Sequence, residues 1–525
     1  MIVKGGVVMF FIKGKKLLSK EQSQQLDFAI KAVSEGKYGY INEMYRVFAL
    51  NGNRTQQIKA AQVLEEMLHS LTVKQLLQID FSQIKDMWWY DTWSDIEVSD
   101  KMFSHLSRSQ YAALLKWGTF HANGYYRQRC MEALAAEYED SLLFLMLRLN
   151  DWVEPIREKA FRLVCERLKK SDVEELFRAM PCFVKVQRSQ RRKEKYLLYV
   201  DKQIKEEIAR KIPQIEPKRV KYYELSVRNA IYRTVSSSKI IEKETIQELM
   251  MAEKDSFGKR ILIQGILRNY GCGDEQIEKY LKYKSTIVRQ CALEYRYQKL
   301  HDAWQGIEEL LLDKSKRIRE YVSYILKKHT DFFILGFYLS RLETEINKTV
   351  PVLGIGEHGS CTEIETIRPF LESPDEKTVK AALAALGQLA GKKEESTYWE
   401  YLLDARCTVA KQAYLVIKKL DIHYGAEGLY EEYKAKMACV TGKYFLELLL
   451  REPSWERLPY LLKLYQMETG NMYWRICSGI NSRSMYAKVS AIKAQEIKQI
   501  LQDMEGKISD SMIKGILLDL KYVSV

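Results

Sequence analysis

LESPDEKTVKAALAALGQLAG, residues 371–391, holds a complete local pattern. A polar turn at Ser373–Asp375 leads to Val379 and Lys380, then to small and apolar residues at helical spacing. Apolar residues at i, i+3, i+4 and i+7 line one side of a helix. The same phrase recurs along the chain: an apolar residue, a base close behind it, then a small or apolar run. It reads PIREKAFRLV around Ile156, IVRQCALEY around Val288, RIREYVSYIL around Ile318 and TVAKQAYLVI around Val409. Val288 to Ile318 is 30 residues, Val379 to Val409 is 30, and Ile318 to Val379 is 61, about two periods. Tyr126 in YYRQRCMEAL lies 30 before Ile156, and Val227 in SVRNAIYRTV lies 61 before Val288.

A period near 30 residues with room for two helices implies stacked helical hairpins, since one hairpin cannot bury its own apolar face. The phrase resembles HEAT repeats, in the short HEAT-like form of the phycobilin lyases, from about residue 50 onward. The resemblance implies an all-α solenoid, a superhelix of hairpins. Asp151, Asp313 and Asp404 each stand five places before the marked apolar residue, and so does Asp91 before Ile96. A short carboxylate there is expected to cap the second helix or to accept backbone N–H bonds from the neighbouring hairpin. The expected organisation is an N-terminal segment and capping helix (1–50), N-terminal repeats (51–180), a basic segment within the solenoid (181–233), and C-terminal repeats with a cap (234–525).

Of the 525 residues, 46% are hydrophobic and 29% charged, which marks a folding, soluble sequence. The nine cysteines include no CxxC pair and mostly sit in apolar helical patterns. They predict buried, reduced thiols, a cytoplasmic protein and no metal site. The apolar run near the N-terminus and FFILGFYL at 332–339 are far too short to cross a bilayer. The histidines form no HExxH, no nucleophile elbow stands out, and no phosphate loop with GK[ST] occurs. GIGEHG, 354–359, matches a dinucleotide fingerprint but lacks the strand that must precede it. Its glycines are expected to end a second helix, with His358 in the loop. No cofactor is expected.

Net charge is +14, and residues 181–233 hold 15 Lys/Arg against 6 Asp/Glu. Such a surplus fits either a solvated face or a phosphate footprint, carried here by Arg188, Arg191, Arg192 and Lys193. In KDMWWYDTWSD, residues 85–95, three tryptophans crowd against carboxylates. Together with LLKWGTF around Trp117 and YYRQRCMEAL, this resembles the HEAT-like alkylpurine DNA glycosylases. The resemblance implies that Trp89 packs against a lesion nucleotide, that Asp95 (or Asp91) stabilises charge on the sugar, and that Arg129 holds a phosphate. Trp89 to Asp95 is two residues longer than that family's spacing, and Leu163 stands where its later cradle tryptophan belongs. The expected function is a non-catalytic scaffold that binds a macromolecule on its concave face, with nucleic acid favoured over protein. A DNA alkylation-repair glycosylase and a protein-binding adaptor are the alternatives.

Overall fold

The computed structural model describes residues 20–49, 54–79, 102–190, 193–212, 217–237, 239–467 and 472–523. Trp89, Asp91, Asp95, Arg191 and Arg192 lie outside these residues. Every regular element of the described residues is helical, and none of the helices is long and apolar enough to cross a membrane. The chain forms two compact units, Met1–Leu300 and His301–Val525, and each is a HEAT-like stack of helical hairpins. In the first unit the second helices are Gly124–Glu137, Glu154–Lys170, Glu194–Lys211, Leu225–Val235, Ser256–Asn269 and Thr286–Leu300. Successive members of this row pack side by side. In the second unit Thr349–His358, Glu376–Leu389 and Cys407–Leu420 stack in the same way, and Lys316–His329 carries the same phrase.

The repeated apolar residue sits at the same point of each second helix. Tyr126, Ile156, Val227, Val288, Ile318 and Val409 are third residues and Val379 is a fourth, and all are fully buried. Each such side chain contributes about 1.5–3 kcal/mol of apolar burial. The copy missing between Val227 and Val288 is Gly258, the third residue of Ser256–Asn269. Glycine gives no apolar signal to a sequence scan, which is why the gap read as 61.

The base that follows is a structural staple. Arginine is the fourth residue of six second helices, at 127, 157, 228, 289, 319 and 457. Each of these guanidinium groups donates back to a carbonyl in the turn just crossed. Arg157 reaches the Asp151 carbonyl at 2.6 Å, Arg228 that of Lys221 at 3.1 Å, Arg289 that of Tyr283 at 2.7 Å and Arg319 that of Asp313 at 2.9 Å. Arg127 and Arg457 do the same to His121 and Leu450. Carbonyls at a helix end have no partner within the helix. A charged donor satisfies them with roughly 1.5–3 kcal/mol per bond.

The residue five places before the marked position completes the turn. Asp151, Asp313 and Asp404 each accept the backbone N–H of the residue two further on, at 2.9, 2.7 and 2.7 Å. The bond is therefore made within the turn itself. What the neighbouring hairpin supplies is an arginine: Arg127 closes a bidentate pair on Asp151 at 2.7 and 2.8 Å, with both side chains fully buried. His121 Nδ1, Glu253 and Asn347 take the same role at 3.0, 2.7 and 3.0 Å. Burial, and then the charge of Arg127, pushes His121 down to about 3, so it stays neutral.

Two expectations fail in the second unit. The helix Thr349–His358 runs through GIGEH, and His358 is its last residue, stacked on Tyr338 and bonded to Ser323 at 3.1 Å. Gly359 stands at the C-cap as expected, but Gly354 and Gly356 serve contact and not termination. A Cβ on Gly354 would meet the Tyr338 ring at 2.3 Å, and one on Gly356 the Ala385 Cα at 2.5 Å. Among the cysteines, Cys130, Cys182, Cys272 and Cys291 are buried as expected, but Cys361, Cys407 and Cys439 are exposed. Cys407 opens a helix, ahead of its buried face.

Candidate functional site: the turn edge of the first unit

Consecutive hairpins that repeat one geometry bring equivalent turns into a row along one edge of a stack. In the first unit this edge carries large side chains that the turn does not need. Tyr125 is 71% exposed and Tyr222 is 78% exposed, while Phe257 and Trp152 are about half exposed. All four fall within five residues of a marked position. Most of them have a cation at the ring. Arg127 lies 4.3 Å from the Trp152 centroid, Lys221 5.0 Å from Tyr222 and Arg233 5.6 Å from Phe257. Cations over aromatic faces contribute about 0.5–1 kcal/mol at exposed sites. They also hold the rings in place, ready for a partner.

The described residues of the basic segment 181–233 belong to helices of the stack and their connections. The segment covers the end of Val173–Gln187, the helices Glu194–Lys211 and Pro217–Val220, and Leu225–Val235. Many of its cations are engaged within the chain. Lys185 donates to the Leu77 carbonyl at 2.7 Å and Lys211 to that of Ser171 at 2.7 Å. Lys205 pairs with Asp201, Arg210 with Glu207 and Arg228 with Glu253. Lys193, one of the expected phosphate contacts, pairs with Glu154 and Glu158 of the preceding second helix. The bond to Glu154 raises its ammonium further above the ordinary lysine value. Arg188 is exposed at the end of its helix. Arg129 lies half-buried on Gly124–Glu137, two residues past the staple Arg127. Trp117, of the same resemblance, is buried against Phe120, and Leu163 is half-buried in Glu154–Lys170.

Beside Lys193 the tyrosines divide. Tyr196 stacks on Phe161 at 4.3 Å with its hydroxyl on Glu158, and Tyr199 meets the same ring edge-on. Tyr223 packs against Phe177 and donates to Glu174, whereas Tyr222 next to it faces solvent. Nothing in the order of residues separates these two tyrosines. The turn aromatics at 125, 152 and 257 were missed for a related reason: each sits one to four places before a marked residue, where a helical pattern carries no weight. Among the described residues no group of His, Cys, Asp and Glu could hold a metal ion.

No protein-family profile matches the sequence, and no curated protein matches it. Solved structures show a loose likeness. The karyopherin Kap121p bound to the SUMO protease Ulp1p is 11% identical at a TM-score of 0.32, over 94% of this chain and 64% of that one. Kap121p bound to Nup53p is 12% identical at 0.31, over 97% of this chain and 66% of that one. This chain thus spans slightly under two thirds of the length of those karyopherins. The likeness is too loose to carry a partner or an activity across.

Proposed function

We propose that the chain is a non-catalytic solenoid scaffold whose turn edge in the first unit receives a segment of another protein. The observation that carries this reading is the row of exposed aromatic residues at 125, 152, 222 and 257, three of them with an arginine or lysine at the ring. Aromatic and arginine side chains supply most of the energy of protein interfaces because they bury large rigid surfaces at low entropic cost. A phosphate footprint asks for unengaged cations, and lysines and arginines at 185, 193, 205, 210, 211 and 228 already have partners in the chain.

Nucleic acid is the second reading, favoured by exposed Arg188 in the sequence RSQRRK, 188–193. A photo-crosslinking amino acid placed at Tyr222 or Phe257 in cells separates the two. Protein-sensitive adducts that survive nuclease are expected, with none from the same group at Lys314 in the second unit. Adducts that vanish with nuclease would transfer the reading to nucleic acid, and no adducts at all would remove this edge as a binding surface.

A further inference from the structure

Two of the six second helices of the first unit lack the arginine: Glu194–Lys211 has Leu197 as its fourth residue, and only the other break keeps a cation. In Ser256–Asn269 the fourth residue is Lys259, not arginine. It is 7% exposed. Among the described residues it donates to no carbonyl and pairs with no carboxylate. Two of the four arginine staples of this unit also find an acid in the next turn: Arg127 takes Asp151 and Arg228 takes Glu253. Twenty-four residues beyond Lys259, the interval from Arg127 to Asp151, stands Tyr283, followed by the exposed Lys284. The nearest acid is Glu253, which is already saturated. It accepts from Arg228, from Tyr232 at 2.7 Å, and from the backbone of Lys254 and Asp255 at 2.7 Å each.

An ammonium withdrawn from much of its water and left near a second cation favours an added anion. Its environment is short of negative charge: burial first, and then Lys284, lowers the Lys259 pKa, with Glu253 opposing. Lys254 is exposed on the same turn as Glu253, and Phe257 presents its ring one residue before Gly258. The first backbone N–H groups of the long helix Thr286–Leu300 follow Lys284 directly, and helix starts favour negative charge.

We infer that Lys259 and Lys284 form an anion subsite in the turn edge, which takes a side-chain carboxylate of an acidic protein segment lying across Phe257. This rests on the protein-binding reading of that edge. The partner's carboxylate replaces the acid that the next turn lacks, so binding supplies the counter-charge the fold leaves out. Arginine at 259 would instead reach the Glu253 carbonyl six residues back, as Arg157 and Arg319 reach theirs.

The test uses the full-length chain with fluorescein-labelled decaglutamate at fixed ionic strength, read by anisotropy. Lys259→Met is expected to weaken binding about tenfold, a change of ~1.4 kcal/mol, without lowering the melting temperature. Lys259→Arg is expected to weaken binding likewise while raising the melting temperature. Lys284→Gln, an exposed change that keeps the fold intact, is expected to weaken binding about threefold, and Lys314→Gln in the second unit not at all. Equal binding by wild type, Lys259→Met and Lys284→Gln overturns the subsite, as does an equal loss with Lys314→Gln. Binding of a 20-base-pair duplex or of inorganic phosphate at this position, with none of decaglutamate, overturns the choice of a carboxylate. Loss of decaglutamate binding in both lysine variants with no protein crosslinked at Tyr222 leaves the subsite standing and removes the scaffold reading. Protein crosslinks with unchanged decaglutamate binding do the reverse.

Discussion

The five residues before Tyr126, Ile156, Val227, Gly258 and Val288 in the first unit include Tyr125, Trp152, Tyr222, Tyr223, Phe257 and Tyr283. The five before Ile318, Val352, Val379 and Val409 in the second include no aromatic residue. There the turns close on charge and small polar groups. Asp404 and Arg406 pair at 2.7 Å, Asp313 accepts from Ser315, and Asp375 caps the helix after it. Both units meet the same demand, to satisfy backbone groups where two helices join. The second unit shows how little that takes. The exposed aromatic side chains of the first, Tyr125, Trp152, Tyr222 and Phe257, are therefore surplus to the turn, and such a surplus concentrated in one unit favours the binding reading.

The comparison breaks most visibly at the buried staple. Arg127→Met leaves buried Asp151 with only the more distant Arg148, at 3.6 Å, and should cost up to about 3–5 kcal/mol. Arg406→Met removes a pair that is partly in water, and should cost no more than about 1 kcal/mol. Urea unfolding of each variant measures both. Equal losses would mean that turn closure matters alike in the two units.

Close helix contact should cost the same in either unit. A Cβ on Gly265 would meet Ser236 at 2.4 Å, and one on Gly354 the Tyr338 ring at 2.3 Å. Gly265→Ala and Gly354→Ala should each lose about 1–3 kcal/mol by overpacking. Gly428→Ala, with nothing within 4 Å of the new methyl, should gain up to about 1 kcal/mol of helix propensity. A neutral Gly354→Ala would show that the glycine pair of GIGEHG is not a packing device.

His121 gives the first unit a pH response. Its folded value is about 3, against an unfolded value near 6.5. The folded state thus holds fewer protons than the unfolded state between these values. Stability is unaffected above pH 6.5 and falls as pH drops below it, by about 1.4 kcal/mol per unit. His121→Asn keeps an acceptor of the kind Asn347 provides and removes the proton. Between pH 6.5 and 5 wild type should lose roughly 2 kcal/mol relative to this variant. Parallel pH profiles would place a charged His121 in the folded protein.

The hairpin period was legible because Ile156, Val288, Ile318, Val379 and Val409 repeat a strong apolar signal at fixed spacing. The turn carboxylates were legible too, since Asp151, Asp313 and Asp404 keep one offset. The staple was visible only as "a base", because a guanidinium that seals a carbonyl and one that waits for a phosphate are the same letter. That is why the charge surplus of 181–233 read as a footprint. Gly354 and Gly356 of GIGEHG misled for a similar reason: glycine ends helices and also lets them touch, and only the position of Tyr338 and Ala385 decides which. The candidate edge was least legible, since exposure of a turn aromatic depends on what the neighbouring hairpin covers.

Tyr222 and Tyr223 sharpen the comparison at the smallest scale, since one turn holds both kinds of residue side by side. Tyr223 packs edge-on against Phe177 at 5.5 Å and donates to Glu174, so its ring belongs to the fold. Tyr222 has only the Lys221 ammonium at its face and is exposed. Tyr223→Ala should lower stability by about 2–3 kcal/mol, through lost burial and a lost charged acceptor. Tyr222→Ala should lower it by less than about 1 kcal/mol, the scale of an exposed cation–aromatic contact. Binding should reverse the order. With the crosslinking group at Phe257, Tyr222→Ala should reduce protein adducts severalfold, while Tyr223→Leu, which keeps a packed apolar side chain, should leave them near the wild-type level. If Tyr222→Ala changes neither stability nor adducts, its exposure is incidental, and the aromatic row of the first unit is no more a binding surface than the turns of the second. If adducts fall only with Tyr223→Leu, the partner reads the shape of the turn and not the ring presented on it.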